Sequence, residues 1–152
     1  MANFMTTARQ ALMARLQEDP TLDAAIMSWY TWGSGLIQRY NFEPATCPLL
    51  SLVPAALDDD ELSNITDRFP QDVELTIVTD GQDAEPTEEL LAAALAVVCQ
   101  ARADHLGLAA DGLASVEILR PQWSAWESAK DARVRWSVHC TIRFNWYLRD
   151  FS

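Results

Sequence analysis

The sequence predicts an α+β fold: a mixed, mainly antiparallel sheet of about four strands, with one long helix packed on one face and an N-terminal helix. Three observations lead to this prediction. Residues 134–148 alternate apolar and polar side chains without a break, as a half-buried strand does. Residues 86–106 carry an apolar stripe at helical spacing between Pro86 and Gly107. Residues 4–17 carry a second stripe of this kind.

Length and composition indicate a globular protein. The chain has 152 residues, of which 49% are hydrophobic and 22% are charged, so we expect a single domain over residues 1–152. The longest apolar run, residues 90–99, is about half of the roughly 20 residues that a membrane-spanning helix needs. The N-terminus has no basic stretch followed by an apolar block, so we expect no signal peptide and a cytoplasmic protein.

Two helices are predicted at the N-terminus. In the first, apolar residues recur at i, i+4 spacing from Phe4 to Leu16, and Pro20 ends it. The second is shorter and covers residues 21–29, with its apolar residues on one side. Residues 30–46 hold two glycines and a proline among aromatic residues, which predicts irregular structure or a short hairpin.

The middle of the chain alternates strands with one helix. Residues 48–54 are apolar between two prolines, which is typical of a short buried strand. The acidic run 58–61 is predicted as an exposed loop or short helix. Residues 73–79 are rich in β-formers and precede an Asp-Gly turn. Residues 86–106 then form the main helix, because acidic residues flank Pro86 at its start and Gly107 follows its end.

The last third is predicted to contain two strands. Residues 115–119 form the first, and residues 123–133 are polar and turn-like. Residues 134–148 form the second, which at about 3.4 Å per residue would be about 50 Å long. Ordinary strands have about five or six residues. We therefore expect this strand either to bend or to project beyond its sheet, where it would need a partner.

The charge is distributed unevenly along the chain. Residues 58–89 contain twelve acidic residues against Arg68 alone, a segment charge of −11 that equals the net charge of the whole chain. From Arg120 onward the sum is +3. An acidic chain of this kind repels nucleic acid over most of its surface, so we expect no nucleic-acid partner.

No pattern of catalytic residues is present. The five glycines are scattered, so there is no phosphate-binding loop. His139 and Cys140 are adjacent in a strand and point to opposite faces, which excludes a thiolate–imidazole pair. The run Asp58-Asp59-Asp60-Glu61 could be imagined as a cation site, but consecutive carboxylates point in different directions and a solvated loop is the better interpretation. We expect no enzyme activity, cofactor or metal.

Cysteines and tryptophans have structural explanations. Cys47, Cys99 and Cys140 are far apart and flanked by apolar sequence, so we expect three buried, reduced thiols. Six tryptophans are many for this length. Four of them lie at element ends or in loops, where they could mark subunit contacts or cover the ends of a small core; these are Trp29, Trp32, Trp123 and Trp126.

The order of these elements resembles the tail terminator and minor tail proteins of long-tailed bacteriophages and prophages. The shared features are the N-terminal helix, the proline-flanked strand 47–53, the acidic loop, the strand 73–79, the long helix opened by residues 85–89, a strand near 116–119 and the final long strand. The aromatic insertion 29–46 departs from the pattern. The resemblance implies a structural protein, assembled in the host cytoplasm into the virion tail, that caps the tail tube as a homo-oligomeric, hexameric ring and joins the head connector.

The charge distribution suits a ring independently of the resemblance, because a ring needs two different surfaces that meet between neighbouring copies. Our hypothesis is that the acidic segment of one copy contacts Arg residues of the C-terminal segment of the next. The candidate interface residues are Asp58, Asp59, Asp60, Glu61, Arg133, Arg135, Arg143 and Arg149. The alternative is a small acidic binding module, similar to a toxin-immunity protein, that neutralises a basic protein partner.

Overall fold

The computed structural model of the chain describes residues 4–31, 47–55, 68–81, 83–119, 121–127 and 134–147. These residues form three α-helices, two short 3-10 helices and six strands; the α-helices and strands are labelled here. In chain order they are α1 (Phe4–Glu18), α2 (Pro20–Ala25), β1 (Ser28–Thr31), β2 (Leu49–Pro54), β3 (Arg68–Asp80), α3 (Glu85–Asp104), β4 (Leu113–Ile118), β5 (Gln122–Glu127) and β6 (Val134–Tyr147).

The six strands belong to one sheet. Its order is β1-β2-β3-β6-β4, and β5 also pairs with β6. Only β1 and β2 run parallel among these pairs, and the others are antiparallel. The prediction of an α+β fold with a mainly antiparallel sheet, an N-terminal helix and one long helix is thus confirmed, whereas the expected number of about four strands is wrong.

The two additional strands are β1 and β5, and each lies where the sequence shows little of the apolar–polar alternation of a strand. α2 ends at Ala25, and Ile26 already has an extended backbone (φ −76°, ψ 123°). Trp29 therefore belongs to β1 and not to the predicted second helix. β5 (Gln122–Glu127) covers the first part of residues 123–133, which were predicted as turn-like, and begins one residue earlier. Its sequence, Gln-Trp-Ser-Ala-Trp-Glu, lacks the strict alternation that identifies a half-buried strand.

The long strand β6 is confirmed, but it does not project beyond the sheet. On one side β3 pairs with it from Arg135 to Tyr147. On the other side β4 pairs with its C-terminal half and β5 with its N-terminal half. The predicted strand 73–79 is in fact longer, because β3 begins at Arg68, and this extra length is what gives β6 a partner throughout.

The core lies between one face of the sheet and the helices. Directly opposed residues of neighbouring antiparallel strands share a face, and the apolar residues of β2, β3 and β6 coincide in this way. α3 contributes its own apolar stripe to the same core. The fully buried members with the largest side chains include Trp146, Phe144, Leu12, Leu16, Leu50, Leu52, Leu75, Ile77 and Ile142.

A buried glutamine attaches α1 to the sheet. The side-chain N–H₂ of Gln71 in β3 donates to the carbonyl oxygen of Met5 (2.9 Å), and its carbonyl oxygen accepts from Trp146 Nε1 (3.0 Å). The ring of Phe4 packs edge-on against Trp146, with 4.9 Å between ring centroids. Gln71 itself is buried. One side chain therefore satisfies two polar groups and connects α1, β3 and β6.

An ion pair connects α1 to the far end of α3. Arg15 Nη1 donates to both carboxylate oxygens of Asp104, at 2.6 and 2.8 Å. This hydrogen bond lowers the pKa of Asp104 below its ordinary value. The pair is largely exposed to solvent, so it orients the two helices more than it stabilises them.

α3 begins and ends close to where the sequence predicts. Asp83 accepts a hydrogen bond from the backbone N–H of Glu85 (3.0 Å), and Pro86 occupies the first turn. After Asp104 the chain continues as a short 3-10 helix to Gly107. By length and composition the stretch 85–107 could cross a membrane, but in this fold its apolar stripe packs on the sheet.

The attachment of α1 generates a stability prediction. Replacing Gln71 with Leu removes the buried hydrogen bonds from this side chain to Trp146 Nε1 and to the Met5 carbonyl, so we expect the free energy of unfolding to fall by about 2 kcal/mol. Urea denaturation followed by tryptophan fluorescence measures it. The matched control is Gln100→Leu on the exposed side of α3, which should change stability by less than about 0.5 kcal/mol. Equal effects of the two substitutions would contradict this account.

Candidate interaction surface

The second face of β3 and β6 is mainly polar, although Val78 is buried there with Leu49 and Cys47. The residues of β6 that alternate with its buried apolar set point to this face, away from α3. Their side chains meet those of β3 on one side and of β4 or β5 on the other. The β6 residues concerned are Arg135, Ser137, His139, Thr141, Arg143, Asn145 and Tyr147.

An ion pair lies at the centre of this polar face. Arg143 Nε donates to Asp72 Oδ1 (2.8 Å) and Nη2 donates to Oδ2 (2.9 Å). Their side chains are only 13% and 6% exposed, respectively. Glu117 in β4 lies directly opposite Arg143 on the other side. The two-pronged geometry matches a planar guanidinium to a carboxylate, so the charge of Arg143 is neutralised within its own chain, by a residue of the acidic segment.

Arg135 is also placed beside an acidic residue of the same chain. It lies directly opposite Asp80 in the β3–β6 register, and its residue surface is only 5% exposed. Two of the arginines predicted for a subunit interface, Arg135 and Arg143, thus lie within the sheet. Their guanidinium groups offer little free surface to another molecule.

The other predicted interface residues lie outside the described part of the chain. These are Asp58, Asp59, Asp60, Glu61, Arg133 and Arg149. The part of the acidic segment that the structure does describe contributes an exposed group at the start of α3, made of Asp83, Glu85, Glu88 and Glu89. Carboxylates at this end of a helix are stabilised by the helix dipole, so the group has a local structural explanation.

Other polar groups of this face form local contacts. The guanidinium carbon of Arg68 lies 5.4 Å from the ring centroid of Tyr147, a cation–π distance. Asn145 Nδ2 donates to Ser115 Oγ (3.0 Å). Within the described ranges, no three His, Cys, Asp or Glu side chains converge as a metal site would require.

The thiols differ in their surroundings. Cys47 and Cys140 are buried, as predicted, but Cys99 is exposed on α3, so the expectation of three buried thiols is wrong. Cys99 lies on the solvent side of the helix because the apolar stripe of α3 passes through Val98 and Ala101. Cys140 contacts the carbonyl of Leu119 (3.0 Å), and burial raises the pKa of its thiol to about 11.

The outer edge of the sheet was missed by the sequence interpretation. β4 and β5 lie one after the other along the same side of β6, and in the described part of the chain no further strand pairs with either. Leu119 is 36% exposed and Trp123 is 44% exposed. Trp123 was noted only as a tryptophan at an element end, and its place in an edge strand depends on pairing with β6.

Similarity to known proteins is found in the fold. No protein-family model matches the sequence, and no curated protein matches it. Among 25 matching chains of solved structures is one from the "Virion of native gene transfer agent (GTA) particle", with a TM-score of 0.51 and 16% sequence identity. The alignment covers 90% of this chain and 93% of that one. The two chains therefore share a fold over nearly their whole length.

The central ion pair generates a second prediction. Arg143→Gln leaves the buried carboxylate of Asp72 without its cation, so we expect a loss of about 3 kcal/mol in the free energy of unfolding. The double variant Arg143→Gln, Asp72→Asn removes both charges and should recover part of this loss. Arg102→Gln on the exposed side of α3 is the control, with little expected effect. A double variant less stable than Arg143→Gln alone would contradict the pairing.

Thiol reactivity generates a third prediction. At pH 8 in the native state, iodoacetamide should alkylate Cys99 and leave Cys47 and Cys140 unmodified, because thiolate and access are both required. Peptide mass spectrometry locates the label. In denaturant all three cysteines should react. Native labelling of Cys140 as fast as of Cys99 would show that its burial and raised pKa are wrong.

Proposed function

We propose that the protein is a structural component of a phage-like virion and that it acts as a tail terminator, a ring that caps the tail tube and joins it to the head connector. The observation that carries this proposal is the shared fold with a chain of a gene transfer agent virion, which extends over 90% of this chain. The order of helices and strands in the sequence supports the same assignment. The protein would then reside in the virion tail after assembly in the host cytoplasm.

The polar residues of the described sheet support a structural role. Arg143 is held by Asp72, and Gln71 is held by α1 and Trp146. These strongly polar side chains stabilise the protein's own fold, and we propose that it is not an enzyme. A terminator of this kind acts by binding to neighbours, and its action requires no reacting group.

The contacts between copies form the finer part of the proposal. We place the acidic run 58–61 of one copy near Arg133 and Arg149 of the next. Arg135 and Arg143 would support this contact indirectly, because their positions beside Asp80 and Asp72 fix the strand that leads to the C-terminal arginine. Six copies related by rotation would repeat the same contact and close the ring.

Deletion of the coding sequence from the genome that carries it tests the function. Without a terminator the tail tube should continue to polymerise and should not join the head, so electron microscopy of the induced particles should show heads without tails and tails of irregular, excessive length. The control is complementation in trans with the wild-type chain, which should restore joined particles with tails of uniform length.

Normal particles from the deletion strain would contradict the proposal. Loss of host viability in the deletion strain, with particles unchanged, would instead support a binding module that neutralises a basic protein.

A further inference from the structure

The edge of the described sheet that β4 and β5 form has two halves that differ in how they are protected. An edge strand presents unpaired backbone N–H and C=O groups and can accept a strand from another chain. β4 is shielded: its pairing with β6 is irregular between Leu113 and Ser115, and His105 Nε2 lies 3.0 Å from the carbonyl oxygen of Ala114. It also carries Glu117. β-Bulges and charged residues are the usual devices that prevent edge-to-edge pairing.

From Gln122 to Trp126, β5 has neither a bulge nor a charged residue. Its pairing with β6 is regular over all six residues. The side chains from Gln122 to Ala125 are exposed, including Trp123 at 44%, and no residue before Glu127 is charged. Trp123 lies opposite Val138 on the helix side of the sheet, yet it is not covered. This segment is therefore regular, uncharged, partly apolar and open.

The hydrogen-bonding pattern identifies which backbone groups are free. Alternate residues of β6 direct their N–H and C=O groups to opposite neighbours. The carbonyl of Thr141 accepts from Leu119 N–H (2.8 Å), whereas the carbonyl of Val134 accepts from Gly81 N–H, next to β3 (2.9 Å). Odd-numbered residues of β6 thus direct their backbone N–H and C=O groups toward β4 and β5, and even-numbered residues direct theirs toward β3.

The same alternation applies to β5. Ser124 lies opposite Ser137, an odd-numbered residue of β6, so the backbone groups of Ser124 pair with β6. Trp123 and Ala125, on either side of it, direct their N–H and C=O groups to the open edge. The edge can accept one further strand through these two residues without any change in the existing sheet.

We propose that β5 pairs with a strand of a second copy of this chain, and that this pairing forms part of the contact between copies in the oligomer proposed above, on which the inference rests. A copy with a net charge of −11 can approach another only where like charges are not brought together. Gln122–Trp126 is such a neutral stretch. A strongly basic or acidic partner would find no complementary charge there, whereas backbone pairing and cover for Trp123 are available to a second copy.

Substitution of Ala125 tests the pairing. Ala125→Pro removes an N–H that faces outward, so the bonds to β6 are retained, and proline is tolerated at such edge positions. Ala125→Val keeps the N–H and is the matched control. We expect light scattering to show oligomers for the wild type and the Val variant, with association weakened at least about tenfold in the Pro variant. Ala125→Lys, which keeps the N–H and adds an edge charge, should also weaken association.

Residue-resolved amide exchange provides a second readout that a folding defect cannot imitate. In the wild type, the amides of Trp123 and Ala125 should be protected at high protein concentration and exchange rapidly at low concentration. The amide of Ser124, which pairs with β6, should be protected at both. Protection independent of concentration at all three positions would overturn the inference.

The remaining outcomes separate this inference from the proposed function. If the Pro and Lys variants both associate as strongly as the wild type, the β5 contact is overturned and the terminator role is unaffected. A wild type that stays monomeric at high concentration, with Trp123 and Ala125 protected only when the tail tube is added, would also overturn it, since the strand would then come from another protein. The deletion phenotype decides the terminator role independently of these measurements.

Discussion

Pairing of β3 with β6 along nearly their whole length is the constraint on which the other parts of the fold depend. In an antiparallel pair, directly opposed residues share a face, so the alternation in β6 is reproduced in β3. The result is one apolar face, with Ile77 opposite Val138 and Val73 opposite Ile142, and one polar face, with Asp72 opposite Arg143. A shift of one residue would move each apolar side chain to the wrong face, and the Asp72–Arg143 pair would be lost with it.

Two buried polar contacts reinforce this register on opposite faces. On the polar face, Asp72 and Arg143 make a two-pronged pair that a shift of one residue would break. On the helix face, Gln71 receives the indole N–H of Trp146 and donates to α1. Because Gln71 and Asp72 are adjacent in β3, one dipeptide anchors both faces. Buried polar contacts contribute modestly to net stability, but they strongly disfavour other strand registers, in which the same polar groups would be buried without partners.

The sequence predicted well the elements whose pattern is local. The alternation of β6 and the stripe and caps of α3 were sufficient to locate both, and the α+β class followed. β1 and β5 were missed because they are short, and their extended form depends on β2 and β6, not on their own periodicity. The sequence also did not reveal that the two charged segments meet within one chain. The acidic segment and the arginines looked like two separate surfaces, but β3 belongs to that segment and lies directly beside β6, so Asp72 meets Arg143 within one chain. Burial of Arg135 likewise could not be foreseen from alternation alone.

The pairing of β3 with β6 also determines which strand is available to contact another molecule. A 15-residue strand that projected from its sheet would itself have been the natural contact, but β3 covers one side of β6, and β4 with β5 covers the other. Between Ile118 and Gln122 the edge has three residues where β6, between Ile142 and His139, has two. The registers of β4 and β5 on β6 therefore differ by one residue, and the shielded half of the edge is followed by an open one. The length of β6 therefore acts indirectly: β6 is longer than β4 can cover, and β5, the strand that pairs with the rest of it, becomes an open edge of the described sheet.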